Sequence, residues 1–554
     1  MHQPDYRHYA DGEFSLPWTY LHALKDYTDM AYHLEAHPRM KAVFNFVPIL
    51  LDQLEDYAAQ LSLGEVCDPL LKLLLIEDPD SYTVEQRNLI LKRCFSCNHA
   101  TMLHPYPQYH HLYGLHRLAI EQGETGLTYL SGQYHADLLT WYHLAWTGES
   151  LRRRYPLIAS LMAQGSQFSK TDRRNFFELI AEVIQELMPR YQKLMAEGQI
   201  EISTTPYHHP ISPLLVEFDC ARDAWPQSEL PEAASYPGGE ARTLFHLDTA
   251  LESHAARFGD PAQGIWPAEG GVSDKFLRLM ARRGVRWTAS GEGVLTNTIR
   301  RAYGEAGPPR TEYLYRPYRF IEGENELICF FRDEKLSDKI GFEYSKWGAQ
   351  DAVNNFIFDL EEILKFIPED KSPVVSVILD GENAWEYYPY NGYYFLSTLY
   401  AALEDHARIR TTTFSEYLKS SVEDYASLAV LPPLVAGSWV YGNFSTWLGA
   451  APKNRAWNLL CAAKLSFDLS STKLNPEQMQ KALKQLANCE ASDWFWWFGD
   501  YNPADSVAEF DQLYRENLSN LYKILGLPVP VSLYSPISTG TGHPEAGGSM
   551  RRAT

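Results

Sequence analysis

Five short apolar runs rich in β-branched and aromatic residues punctuate the chain at long intervals: 41–47 (KAVFNFV), 199–204 (QIEIST), 285–290 (VRWTAS), 327–332 (LICFFR) and 374–380 (VVSVILD). Runs of this length and composition predict buried strands. Between them the apolar period changes. Across 172–197, Phe176, Phe177, Ile180, Val183, Ile184 and Leu187 recur three and four residues apart and share one helical face. Strands alternating with helices predict βα units and a parallel sheet. Four of the runs contain or end in polar groups: Asn45, Glu201, Arg332 with Asp333, and Asp380. In parallel α/β barrels the carboxyl ends of the strands carry the chemistry, so this pattern predicts an enzyme.

From Pro48 to about residue 170 there are amphipathic stretches but no strand pattern, and the segment is too long for a loop. A helical insertion between two barrel strands is expected. After about residue 413 the strand signal fades, and helical runs follow at 455–469, 476–488 and 506–525. The expected organisation is therefore a catalytic barrel over 1–415 with its insertion at about 48–170, and a C-terminal α-helical domain over 416–537. The Gly/Ser/Thr-rich end, 538–554, is expected to be disordered.

The net charge of −21 repels phosphate backbones and anionic membrane surfaces, which argues against nucleic-acid and membrane partners. No stretch approaches the ~20 apolar residues of a membrane span, and the N-terminus lacks a signal-peptide pattern. The expectation is a soluble, cytoplasmic protein. Seven thinly spread cysteines suit a compartment where thiols stay reduced. Aromatic residues make up 13% of the chain, an excess that suits sugar faces or packed interfaces.

Two segments carry candidate chemistry. In GIWPAEGGVSD, Glu269 follows Trp266 by three residues and precedes two glycines, which places a carboxylate on a sharp turn open to a ligand. In SVILDGENAWEYYPYNGYYF an apolar strand runs into Asp380, beside Trp385 and several tyrosines. An acid among apolar rings is partly desolvated and its pKa rises, as a general acid at neutral pH requires. A second carboxylate in a more polar setting stays ionised as nucleophile. Opposed carboxylates beside aromatic platforms point to glycoside chemistry. The DGEN segment lacks the spacing of a calcium loop. Cys94 and Cys97 lie near five histidines, but one Cys-x-x-Cys pair without a second favours incidental clustering over zinc. No metal and no cofactor are expected. The WFWW cluster at 494–497 is expected to pack the helical domain against the barrel.

An ordered set of segments resembles glycoside hydrolase family 57, in its α-amylase/amylopullulanase-like branch. The set is His2-Gln3-Pro4, FNFVPILLDQL (44–54), GQIEI (198–202), YHHPISPLL (207–215), WPAE (266–269), GVRWTAS (284–290), FFRDEKLSDKIGF (330–342), DGEN (380–383) and SDWFWWFGDYNP (492–503). The resemblance implies an incomplete (β/α)7 barrel followed by a helical domain, acting on α-glucans with retention. It implies Glu269 as nucleophile and Asp380 as general acid/base. It also implies that His2 and Glu201 line the sugar subsite, that Trp266 and Trp385 are aromatic walls, and that His209, Arg332 and Asp333 stand on strand ends. Resolution of the glycosyl-enzyme by water gives an amylase or pullulanase; resolution by a sugar 4-hydroxyl gives a 4-α-glucanotransferase.

The chain departs from the family pattern twice. His-Gln-Pro closes the first barrel strand in the family, yet here it begins at residue 2. Without that strand, two hydrogen-bonding edges are expected to be exposed and His2 loosened, which leaves a catalytically silent carbohydrate-binding protein as the alternative. Gly291 also stands where the family pattern has an acid. Specificity then differs if that acid contacts sugar.

Overall fold

The computed structural model describes residues 1–368, 373–422, 425–499 and 501–541. Its sheet has six strands in the order β1-β2-β3-β4-β6-β5. They are β1 (Ala42–Phe46), β2 (Ile200–Thr204), β3 (Gly264–Ile265), β4 (Trp287–Ser290), β5 (Tyr318–Glu322) and β6 (Asn325–Phe331). All pair in parallel except β5, which turns back on β6. This is the mixed α/β, incomplete-barrel architecture that the sequence predicts. The two-residue β3 escapes sequence reading because its register depends on a bare backbone: a Cβ on Gly264 would lie 1.8 Å from the Trp287 ring.

Strand side chains alternate between two apolar layers, as the pleat requires. Phe44 and Phe46 face outward onto Tyr191, with ring centroids 5.2 and 4.9 Å away. Val43, Trp287, Ala289, Ile328 and Phe330 face inward. The helix Phe414–Ser421 plugs this interior, with Phe414 4.6 Å from Trp287 and 4.3 Å from Phe330. The boundary expected at 415/416 thus falls inside a helix that fills the barrel, and Val430 and Gly437 still bridge to Arg319 and Val272.

The expected strand at 374–380 makes a single parallel bridge, Ser376 to Arg332, and no ladder among the described residues. The cause is local crowding on one flank and open space on the other. β5 covers β6 as far as Cys329, so the run meets β6 only beyond that point. On its other flank lies a cavity.

Between β1 and β2 the described elements are helical, ending in α1 (Lys170–Ala196), which Ser169 and Asp172 start with a reciprocal capping box. Next in chain order come α2 (Gly239–Phe258), α3 (Ala349–Leu364) and α4 (Tyr393–Glu404). Then follow α5 (Ala451–Ser470), α6 (Pro476–Cys489) and α7 (Ala504–Ile524). One apolar cluster joins the insertion, the outer barrel face and α5–α7. Trp494 and Phe495 are buried in it, and Phe495 stacks on Trp457 at 4.2 Å. Most of the tail expected to be disordered lies outside the described residues, but Ser538 is buried and its N–H donates to Asp511. No described helix is long and apolar enough to cross a membrane.

A buried charge fastens α6 to the barrel layer. Glu490, fully buried, accepts from Arg242 at 2.7 Å, from His246 at 2.7 Å and from the Tyr236 hydroxyl. Burial alone would push its carboxyl up; Arg242 and His246 outweigh burial and hold it well below the usual carboxylate range. Removing one partner of such a set leaves charge uncompensated, so Glu490→Ala is expected to destabilise by about 3–5 kcal/mol in urea unfolding. Because the folded-state value is depressed, this stabilisation is full above the unfolded value of about 4.3 and is lost as pH falls below it. Wild type and variant should therefore converge in stability towards acid pH.

Candidate active site

A cavity of about 2150 Å³ opens at the carboxyl ends of the strands and takes in His2, His209, Trp266, Glu269, Arg332, Asp380, Trp385, Trp439 and Asp493. Seven of the nine site residues expected from sequence line it. Glu201 and Asp333 do not. Glu201 is held inside the barrel, where it accepts from Trp287 Nε1 at 2.7 Å and from Ser415 N at 3.0 Å. Asp333 caps the helix Glu334–Asp338 through Leu336 N and takes Arg310 at 2.9 Å and the Tyr315 hydroxyl at 2.9 Å. Both carboxylates are spent on positioning neighbouring elements.

Glu269 sits in the turn Ala268–Gly270 after β3, with φ 55° and ψ 28°. A non-glycine residue in this left-handed region stores about 1–3 kcal/mol and persists only where its surroundings fix it. Here they do. Val272 and Gly437 form an antiparallel bridge, which brings the backbone N–H of Trp439 to the Glu269 carbonyl at 3.2 Å. The Trp439 indole N–H then donates to Glu269 Oε2 at 3.0 Å. Trp439 meets Trp266 edge-on at 5.2 Å and lies under Arg332, whose guanidinium carbon is 5.3 Å from the ring.

Asp380 ends the 374–380 run in a different setting. Burial first, and the neighbouring Glu382 carboxylate second, push its carboxyl up. Asn383, donating to Asp380 Oδ2 at 3.0 Å, opposes that rise together with the N-terminal ammonium and Arg332. Arg332 is itself fixed, donating to the Ile378 carbonyl at 2.7 Å and to Asp338 at 2.8 Å. Trp385 is buried against this loop with its indole N–H on the Gly381 carbonyl.

His2 is firmly held, contrary to the loosening expected. Its backbone N–H donates to Glu382 at 2.7 Å, its Nε2 meets both Asp493 oxygens at 2.8 Å, and its ring stacks on His209 at 3.7 Å. His209, at φ 58°, bonds Ser492 Oγ at 2.8 Å, and burial first and His2 second keep its imidazole neutral by pushing its pKa well down. His2 Nδ1 is buried with no hydrogen-bond partner among the described residues. His2, His209 and Asp493 also bring one donor atom each within 4.8 Å, close enough to grip a cation or a polyol edge. Cys94 and Cys97 stand apart from this group, as thiols that burial pushes up.

Sequence reading missed Trp439 and Asp493. Both arrive from far along the chain, and neither lies on a strand end. The only available signal for Asp493 was its place in the SDWFWW segment.

The profile of Glycosyl hydrolase family 57 matches residues 1–430. No curated protein matches the chain. Among solved structures, the fold is similar to a family 57 branching enzyme from Thermococcus kodakaraensis, with TM-score 0.54, 14% identity and coverage of 99% of this chain and 98% of that one. The Pyrococcus horikoshii branching enzyme gives TM-score 0.54, 14% identity and coverages of 98% and 97%. An α-amylase from Thermotoga maritima gives TM-score 0.53, 13% identity and coverages of 95% and 92%. With a profile match over most of its length, the chain belongs to glycosyl hydrolase family 57.

Proposed function

We propose that the protein is a retaining glycosidase of α-glucans that works by double displacement on Glu269 and Asp380. The observation that carries this reading is the contrast between the two carboxyl groups. Asp380 is pushed towards its protonated form by burial and by Glu382, which suits a group that must give a proton to the leaving glycosidic oxygen. Glu269 presents a carboxylate steadied by an indole N–H, as a nucleophile aimed at an anomeric carbon requires. Attack by Glu269 forms the glycosyl-enzyme while Asp380 protonates the departing sugar. Asp380, now a base, takes a proton from the incoming hydroxyl, and the bond to Glu269 breaks. His2 and Asp493 provide a polar wall for sugar hydroxyls, and Trp266 and Trp385 provide apolar ones. Water as the incoming nucleophile gives amylase-type hydrolysis, the outcome assigned here.

Incubation with maltoheptaose, with products resolved by chromatography, tests this reading. Shorter oligosaccharides alone support hydrolysis, whereas a ladder rising above the starting length replaces it with glucanotransfer. Glu269→Ala should abolish turnover, and Asp380→Asn should lower kcat by about 10²- to 10⁴-fold, both with glucan binding retained.

The acid must be protonated for the first step, so activity falls as pH rises through the Asp380 pKa. Glu382→Gln removes a like charge that raises it. The alkaline limb of kcat/KM should then move to lower pH; an unmoved limb would separate Asp380 from the acid role. Trp439→Phe keeps the ring but removes a hydrogen bond to a charged group, and should cost about 10- to 100-fold in kcat/KM.

A further inference from the structure

The aromatic run after Asp380 serves the catalytic cavity only in part. Trp385 and Tyr387 line it, whereas Tyr390 and Tyr394 lie outside its lining with 57% and 49% of their surface exposed. Exposed rings scattered singly are ordinary, but these two form a corner: their centroids are 5.4 Å apart and their planes meet at 86°. Arg153 edges the corner. Its Nη2 donates to the Tyr394 hydroxyl at 2.9 Å, and its guanidinium carbon lies 4.2 Å from the Tyr393 ring centroid and 5.4 Å from that of Tyr394. The Arg153 side chain keeps 43% of its surface open to solvent.

The backbone is strained to hold this corner. Tyr390, Asn391 and Gly392 occupy the left-handed region in succession, at φ 56°, 53° and 73°. Two consecutive non-glycine residues persist there only where their surroundings over-determine them. The Asn391 side chain supplies that constraint: its Nδ2 donates to Asp29 at 2.9 Å and its Oδ1 accepts from Lys25 at 3.1 Å, and both partners are buried. Asp29 also accepts the N–H groups of Glu149 and Ser150 at 2.9 and 3.0 Å, which start the helix Glu149–Arg154 that carries Arg153. One buried carboxylate thus sets both the turn under Tyr390 and the helix under Arg153. The turn is fixed on its inner side as well. A Cβ on Gly392 would lie 2.8 Å from the Trp385 ring, so the backbone that presents Tyr390 to solvent rests on a wall of the cavity.

We infer that Tyr390, Tyr394 and Arg153 form a second glucan-binding site, outside the catalytic cavity, that takes two adjacent sugars of an α-glucan chain. The inference rests on the α-glucan reading of the cavity. Aromatic faces suit the C–H faces of hexoses. Rings set about one sugar apart and at a right angle follow a chain that curves from unit to unit, as α-1,4 linkages make it, and do not match the flat ribbon of a β-linked glucan. The guanidinium and the phenolic hydroxyls at the rim meet sugar hydroxyls. The net charge of −21 disfavours a polyanionic occupant. Through the packing of Gly392 on Trp385, a long chain held here stays close to the cavity.

Calorimetric titration of the full chain with maltoheptaose, in a Glu269→Ala background that prevents turnover, tests the inference. Two binding sites are expected. Adding Tyr390→Ala with Tyr394→Ala should leave one, and should weaken retention on an amylopectin affinity gel about tenfold or more. Tyr390→Phe with Tyr394→Phe keeps both rings and should retain two sites. A single site in the parent, or two sites remaining after the double alanine substitution, overturns the inference. Equal retention on a β-glucan gel overturns it too, as does a change from dimer to monomer in the alanine variant, which would make the corner a contact between copies of the chain. Loss of one site on alanine substitution, with no α-glucan turnover by the wild type, would sustain the second site and overturn the catalytic reading instead, so the two failures are distinct.

Discussion

The buried Glu490 carboxylate sets the geometry on which the site depends. A charge with no access to water must be matched by partners, and Arg242, His246 and Tyr236 supply them from α2 and the segment before it. Matching the charge fixes where the chain leaves α6. Two residues on, Ser492 N–H reaches the His209 carbonyl and its hydroxyl reaches His209 Nδ1. One residue further, Asp493 clamps His2. A helical layer outside the barrel thus aligns two imidazoles on the barrel rim through four consecutive residues, which is why the site depends on both parts of the chain.

The strands were legible where a run is apolar on both faces, because burial alone dictates such a run. Residues 41–47, 199–204 and 285–290 contain observed strands, and 327–332 overlaps most of β6. β3 was hidden because two residues carry no period, and β5 because Arg319 and Glu322 interrupt its apolar run and Ile321 is exposed. The 374–380 run has a strand composition without a ladder, since pairing depends on what lies on each flank and composition does not record that.

Site residues show the same division. Glu269 and Asp380 were legible because each sits at a change of local character, one against two glycines and the other at the end of an apolar run. Asp333 follows a strand end as the cavity residues do and Glu201 stands near the start of β2, and Trp287, Ser415, Arg310 and Tyr315 consume their oxygens. A carboxylate's position on a strand predicts where it can reach, but its partners decide what remains for a ligand. Those partners come from segments distant in sequence, and no spacing rule finds them.

Gly291 shows how a single absent side chain changes the surroundings of Glu269. A Cβ there would lie 2.5 Å from the Trp439 Cα, so any side chain at this position and the close approach of Trp439 exclude each other. With glycine, Trp439 comes close enough to donate its indole N–H to Glu269. The same approach lets the Trp439 ring sit under Arg332, whose charge also bears on Asp380. One backbone position with no side chain therefore admits the residue that couples the surroundings of both carboxylates.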